Sequence, residues 1–264
     1  MQKKIQQMFR SYFICLAALV FLIPCYGFAA DETNIFEQPM MFRLAENSRH
    51  DVTWISAIGT ITITTPTDFE RFAKTVESKN IWIEFTSPGG QVIPALLLGE
   101  MIRQHGFNSD VAMTIARGHG KDRLVPGFCF SACGYAFLGG VKRKVQDGSV
   151  LGYHQVYRDP KFKVDEKTEA AMIKSVTGFV EKYLARMGVD GELLGLASAT
   201  KPTDYYEPDS DELVKLRIVT GKKTAEDPED DVDTKPAAKT PNTTQKRSDA
   251  GSNGLIAFAA AAIA

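Results

Sequence analysis

The chain has 264 residues, 44% of them apolar and 24% charged, which leaves room for one good-sized globular domain and excludes a mostly disordered or fibrous chain. Its 31 Lys and Arg stand against 32 Asp and Glu, a formal net charge of −1. A nucleic-acid binder would carry a basic excess, so nucleic acid is not among the expected partners.

The first thirty residues differ from the middle. Lys3, Lys4 and Arg10 have no acid among them, an apolar run extends from Ile14 to Ala30, and it closes in Gly27-Phe28-Ala29-Ala30 before Asp31. Basic, apolar and small-residue regions in that order are the parts of a secretory signal. The run sits at the short edge of what spans a bilayer, which leaves an uncleaved anchor as the alternative. Pro24 and the small residues favour cleavage near Ala30. Removing residues 1–30 takes the formal charge from −1 to −4 and leaves Cys129 and Cys133 as the only cysteines.

From about residue 34 the sequence alternates between two periods. Thr53–Thr64 is β-branched and apolar, as a strand is. Pro66 at a first-turn position predicts a helix through about Glu77. Ile81–Thr86 reads as a short strand that stops at Ser87-Pro88-Gly89-Gly90, and Val92–Gln104 as a helix. Val111–Ile115 reads as a strand, Ser131–Leu138 as a small-residue helix stopped by Gly139-Gly140, and Val150–Val156 as a strand. The longest helix is predicted at about Asp165–Met187, stopped by Gly188. Alternation of this kind indicates an α/β protein with crossover connections over residues 34–220. Residues 221–254 have no aromatic residue and read as a polar linker, and 255–264 (LIAFAAAAIA) as a short apolar tail, too short to span a membrane. The tail and the N-terminal segment are the two candidate points of membrane contact.

Three groups of residues carry chemistry. Gly89 and Gly90 let the backbone approach a ligand, with N–H groups able to face developing negative charge, although a plain strand–helix turn would look the same. Ser131, in Cys129-Phe130-Ser131-Ala132-Cys133-Gly134, opens a helix either as a capping residue or as a nucleophile beside the N–H of Ala132. His154, in Gly152-Tyr153-His154-Gln155, is the histidine flanked by an apolar strand and the natural base for a serine.

The order SPGG, then a serine in a small-residue helix followed by Gly139-Gly140-Val141-Lys142-Arg143, then His-Gln on a strand, resembles the Clp protease proteolytic subunit superfamily, in the style of the exported ClpP-like proteins of bacteria. The resemblance covers roughly Trp54 to Thr220. It implies a single-domain ClpP/crotonase fold, a spiral of βαβ units. It also implies Ser131 as nucleophile, His154 as base, and Gly89 or Gly90 with Ala132 as an oxyanion hole. A peptide or protein substrate, self-association and a bacterial periplasmic location follow, and no cofactor is called for. Two departures stand out. Ala116–Phe128 reads as an insertion able to form a lid. The third triad member is unsettled, with Asp204 the candidate at the family's spacing after one residue of shift.

Cys129 and Cys133 bracket Ser131. A disulfide accepts the spacing, but a regular helix would point the two Cβ atoms poorly, which favours two packed thiols over a bridge. Two cysteines without suitably spaced histidines do not make a metal site. The expected function is an exported serine hydrolase, a peptidase using acyl-enzyme chemistry. The alternative is a non-catalytic scaffold or peptide-binding protein on the same fold.

Overall fold

The computed structural model describes residues 34–221; the expected signal or anchor (1–30), the polar linker beyond Gly221 and the apolar tail (255–264) lie outside the described residues. The first expected strand is β2 (Val52–Ile58), which ends where Gly59 turns the chain at φ 121°. It pairs antiparallel with β1 (Met41–Asn47), an edge strand whose Met41 and Leu44 are exposed and so give no buried stripe in the sequence. From β2 the chain crosses through α1 (Thr65–Ala73) to β3 (Trp82–Thr86), then through α2 (Val92–His105) to β4 (Asn108–Val111). β2, β3 and β4 are parallel to one another, with antiparallel β1 at the edge, in the order β1-β2-β3-β4. Gly106, left-handed at φ 75°, stops α2.

The expected strand Val111–Ile115 divides at Ala112. Val111 ends β4, and β5 (Met113–Ile115) turns away to pair antiparallel with β6 (Arg123–Val125). Thr86 Oγ1 donates to the Ala112 carbonyl at 2.9 Å, which takes that group out of a continuing ladder. The expected lid is therefore a β-hairpin. Its turn is closed by Asp122 Oδ1, which accepts from the N–H groups of Arg117 and Gly118 at 2.8 and 3.2 Å. Arg43 on β1 reaches Asp122 at 2.7 Å, and Ser48 N–H donates to the Gly120 carbonyl at 2.9 Å, so the hairpin is stitched to the edge of the sheet.

The second half of the domain begins with β7 (Phe128–Phe130), continues through α3 (Ala132–Phe137) and returns on β8 (Val150–Gly152), parallel to β7. Ser87, just beyond β3, exchanges two hydrogen bonds with β7, accepting from Phe130 N–H at 3.0 Å and donating to the Phe128 carbonyl at 2.9 Å. The turn after β3 and the strand before α3 are thereby side by side. Last come α4 (Glu166–Met187), α5 (Glu192–Ala199) and α6 (Ser210–Lys215). Asp165 caps α4 by accepting from Thr168 N–H at 3.0 Å, and Gly188 at φ 71° ends it. The result is a single α/β domain of crossover units, with Ile55, Ile83, Phe85, Leu98 and Ile102 wholly buried between sheet and helices. Each such side chain contributes about 1.5–3 kcal/mol by leaving water. Among the described residues no helix is long and apolar enough to cross a membrane.

Helices α2 and α3 meet through glycines: a Cβ on Gly139 would run into the backbone of Gly99. Beyond that contact the C-terminal end of α3 is wrapped by two guanidinium groups. Arg103 donates to the carbonyls of Gly139 (2.8 Å), Gly140 (2.8 Å) and Leu138 (3.2 Å). Arg143 donates to Leu138 and Gly140 and also to Ile218 (2.7 Å) and Arg217 (2.9 Å). No carboxylate pairs with Arg143 among the described residues, and burial, helped by the neighbouring Arg103 charge, pulls its pKa down to about 10.

Candidate functional site

Ser131 occupies the corner where β7 becomes α3, with φ 57° and ψ −123°. A non-glycine residue with positive φ carries about 1–3 kcal/mol of backbone strain, which persists only where the surroundings fix it. Its N–H donates to the Gly152 carbonyl at 2.8 Å and its carbonyl accepts from Gly134 N–H at 3.0 Å. Its side chain makes no capping bond, so the capping role available to a serine here is not taken. The hydroxyl has no hydrogen-bond partner among the described residues.

The register brings the histidine to the same place. Phe130 lies opposite Gly152 in the parallel β7–β8 pair, where neighbouring strands are about 4.8 Å apart. Ser131 and His154 therefore both leave the C-terminal end of this two-stranded sheet. His154 Nδ1 lies 2.8 Å from the Gln155 carbonyl. A carbonyl only accepts, so Nδ1 carries the hydrogen and Nε2 keeps a lone pair. Burial lowers the His154 pKa below the ordinary histidine value, and the Gln155 hydrogen bond opposes that shift. The ring lies between Tyr157 and Tyr205, with centroids at 5.4 and 5.5 Å.

The glycine turn abuts the serine. Gly89 and Gly90 have φ 110° and 133°, and a Cβ on Gly89 would lie 2.7 Å from the Phe130 carbonyl oxygen and 2.9 Å from Ser131 Cβ. Only glycine meets both demands. Gly89 N–H is engaged by Ser87 Oγ at 3.1 Å. Ile61 holds the turn from the other side, donating to the Gly89 carbonyl at 2.7 Å and accepting from Gln91 N–H at 2.9 Å. The N–H groups of Gly90 and Ala132 have no acceptor among the described residues.

Asp204 is not brought to His154. It is exposed, and its carboxylate accepts from Thr203 Oγ1 at 3.4 Å. The backbone of Tyr206 exchanges hydrogen bonds with Tyr153 at 2.7 and 2.9 Å. In so extended a segment side chains alternate, and Tyr205 takes the inward place, stacked on Phe130 at 4.4 Å and tilted over His154. The histidine nitrogen that an orienting acid would hold is already bound to the Gln155 carbonyl. Tyr157, Tyr205 and that carbonyl are the neighbours that sequence reasoning missed; a backbone acceptor leaves no trace in residue types.

Cys129 and Cys133 form a disulfide, with Cα atoms 5.3 Å apart. The expectation of two packed thiols assumed a helix running through both. Cys129 instead lies on β7, before the corner, and Cys133 after it, so the turn at Ser131 brings the two sulfurs together.

No protein-family model matches the sequence, and no curated protein does. Among solved structures the chain is similar to ClpP1 from Listeria monocytogenes, at 16% identity and TM-score 0.43 over 61% of this chain and 85% of that one. It is also similar to a mutant of the membrane-bound stomatin-specific protease 1510-N in complex with a substrate peptide, at 16% identity and TM-score 0.42 over 62% and 71%. The α/β arrangement rests on the strands and helices described above.

Proposed function

We propose that this chain is an exported serine hydrolase acting on peptides through an acyl-enzyme. The observation that carries the reading is the convergence at one corner, among the described residues, of a serine held at positive φ with an unengaged hydroxyl, two N–H groups without acceptors, and a histidine whose tautomer leaves Nε2 basic. Ser131 Oγ attacks the acyl carbon while its proton passes to His154 Nε2. The N–H groups of Gly90 and Ala132 receive the oxyanion. The imidazolium is stabilised through Nδ1–H on the Gln155 carbonyl, the service an acid performs in a full triad. Collapse breaks the C–N bond as His154 returns the proton to the leaving amine, and water repeats the sequence to release the acid. Peptide as the substrate class, and export, follow from the resemblance and from the N-terminal segment.

The test is incubation of residues 31–264 with a fluorophosphonate, read by intact mass. One adduct is expected, absent in Ser131→Ala. One observation favours the second reading, a peptide-binding scaffold: no hydrogen bond joins Ser131 Oγ to His154 in this structure. Such bonds are often long before substrate arrives. A scaffold would give no adduct and would bind peptide equally well with Ser131 replaced.

A further inference from the structure

We propose that the Cys129–Cys133 disulfide is a clamp that positions Ser131, so that the reactivity of the serine depends on the bridge; the inference rests on the serine hydrolase reading. The corner needs such a device. Its N-terminal arm is fixed by the sheet, with Cys129 paired to Leu151 on one side and Ser87 on the other. Its C-terminal arm is α3, six residues long and lacking a side-chain cap. The bridge ties Cys133, in the first turn of that helix, back to the strand across Ser131. Both cysteines are wholly buried, so the cross-link is not a surface staple.

Magnitudes separate a local role from a global one. In the chain-entropy account, closing a loop this short constrains the unfolded chain far less than closing one of a hundred residues. The constraint falls instead on the five residues centred on the nucleophile. A dithiol reductant opens the bridge by exchange: its thiolate attacks one sulfur, the S–S bond breaks, and its second thiol closes its own disulfide. Two electrons and two protons pass to the cysteines. An enzyme clamped in this way is slowed where thiols are kept reduced and fully active where disulfides form.

The experiment compares the oxidised full chain, the same chain reduced with dithiothreitol and verified by thiol counting, and Cys129→Ala/Cys133→Ala. Fluorophosphonate labelling rate against pH is read beside melting curves and amide hydrogen exchange. Without the bridge, labelling slows about ten- to a hundredfold at temperatures where the domain is folded. The pH midpoint stays put, and exchange quickens at 131–137 alone. Equal labelling rates, undiminished protection at 131–137, or loss of the whole domain each overturn the clamp. If the oxidised protein does not label at all, the hydrolase reading falls, and the exchange at 131–137 decides the clamp on its own.

Discussion

The two ends of the short helix α3 are built in opposite ways. At its C-terminal end Arg103 and Arg143 spread their donors over the carbonyls of Leu138, Gly139 and Gly140, and that end is closed by hydrogen bonds. At its N-terminal end, among the described residues, a strained serine has an unengaged hydroxyl and Ala132 N–H lacks an acceptor. Buried donors and acceptors are ordinarily paired, so a satisfied end is read as structure and an unsatisfied one as a place kept for something else. The same six residues thus serve stability at one end and chemistry at the other.

The contrast can be broken from either side. The largest effect is expected from Arg143→Met, which strips donors from the carbonyls of Arg217 and Ile218: stability should fall by about 3 kcal/mol or more, read from denaturant midpoints. His154→Ala should leave the melting midpoint nearly in place and slow labelling of Ser131 by about a hundredfold or more. Gly89→Ala should blur the two ends, since its Cβ meets both Phe130 O and Ser131 Cβ at a positive φ. A loss of about 1–3 kcal/mol, with labelling impaired, is expected in paired melting and labelling assays.

Acidity gives a smaller signal. Burial depresses the His154 pKa, so the unfolded chain takes up a proton that the folded chain refuses. Stability is constant above the ordinary histidine value and falls as pH drops through the window between it and the lowered one. Labelling should fall with acid at a midpoint below the ordinary value. Melting midpoints against pH for wild type and His154→Asn isolate the first effect. Smallest of all, Asp204→Ala should label within about twofold of wild type, because the carboxylate is exposed and Nδ1 is already held. A large loss there would return the acid to the site.

Much of the architecture was legible because long elements announce themselves. Helix α4 carries Val176, Val180, Tyr183 and Met187 at helical spacing between Asp165 and Gly188, and both the cap and the stop are observed. The three-residue strands β6 and β7 did not. Three residues suffice for β7 because Ser87 and β8 supply its partners, information that lies more than twenty residues away on either side. Missing β7 also hid the disulfide, since the spacing of Cys129 and Cys133 was judged as if both lay on one helix. At the site, Ser131 and His154 are nameable from their flanking residues. The partner of Nδ1 is not, because every residue has a carbonyl and only the fold decides which one faces the ring.

The guanidinium of Arg143 has a further consequence, in time rather than in space. Two of its acceptors, the carbonyls of Arg217 and Ile218, lie more than seventy residues downstream, and Thr220 adds a hydrogen bond to Arg143 N–H at 2.7 Å. A chain emerging from its N-terminus would present a cation already committed to the interior while these acceptors were still missing. The hydrogen bonding of Arg143 is therefore completed only with the last turn of the domain. The serine corner is delivered midway in the order of synthesis, and the cation beside its helix finds its last acceptors only at the end of the domain.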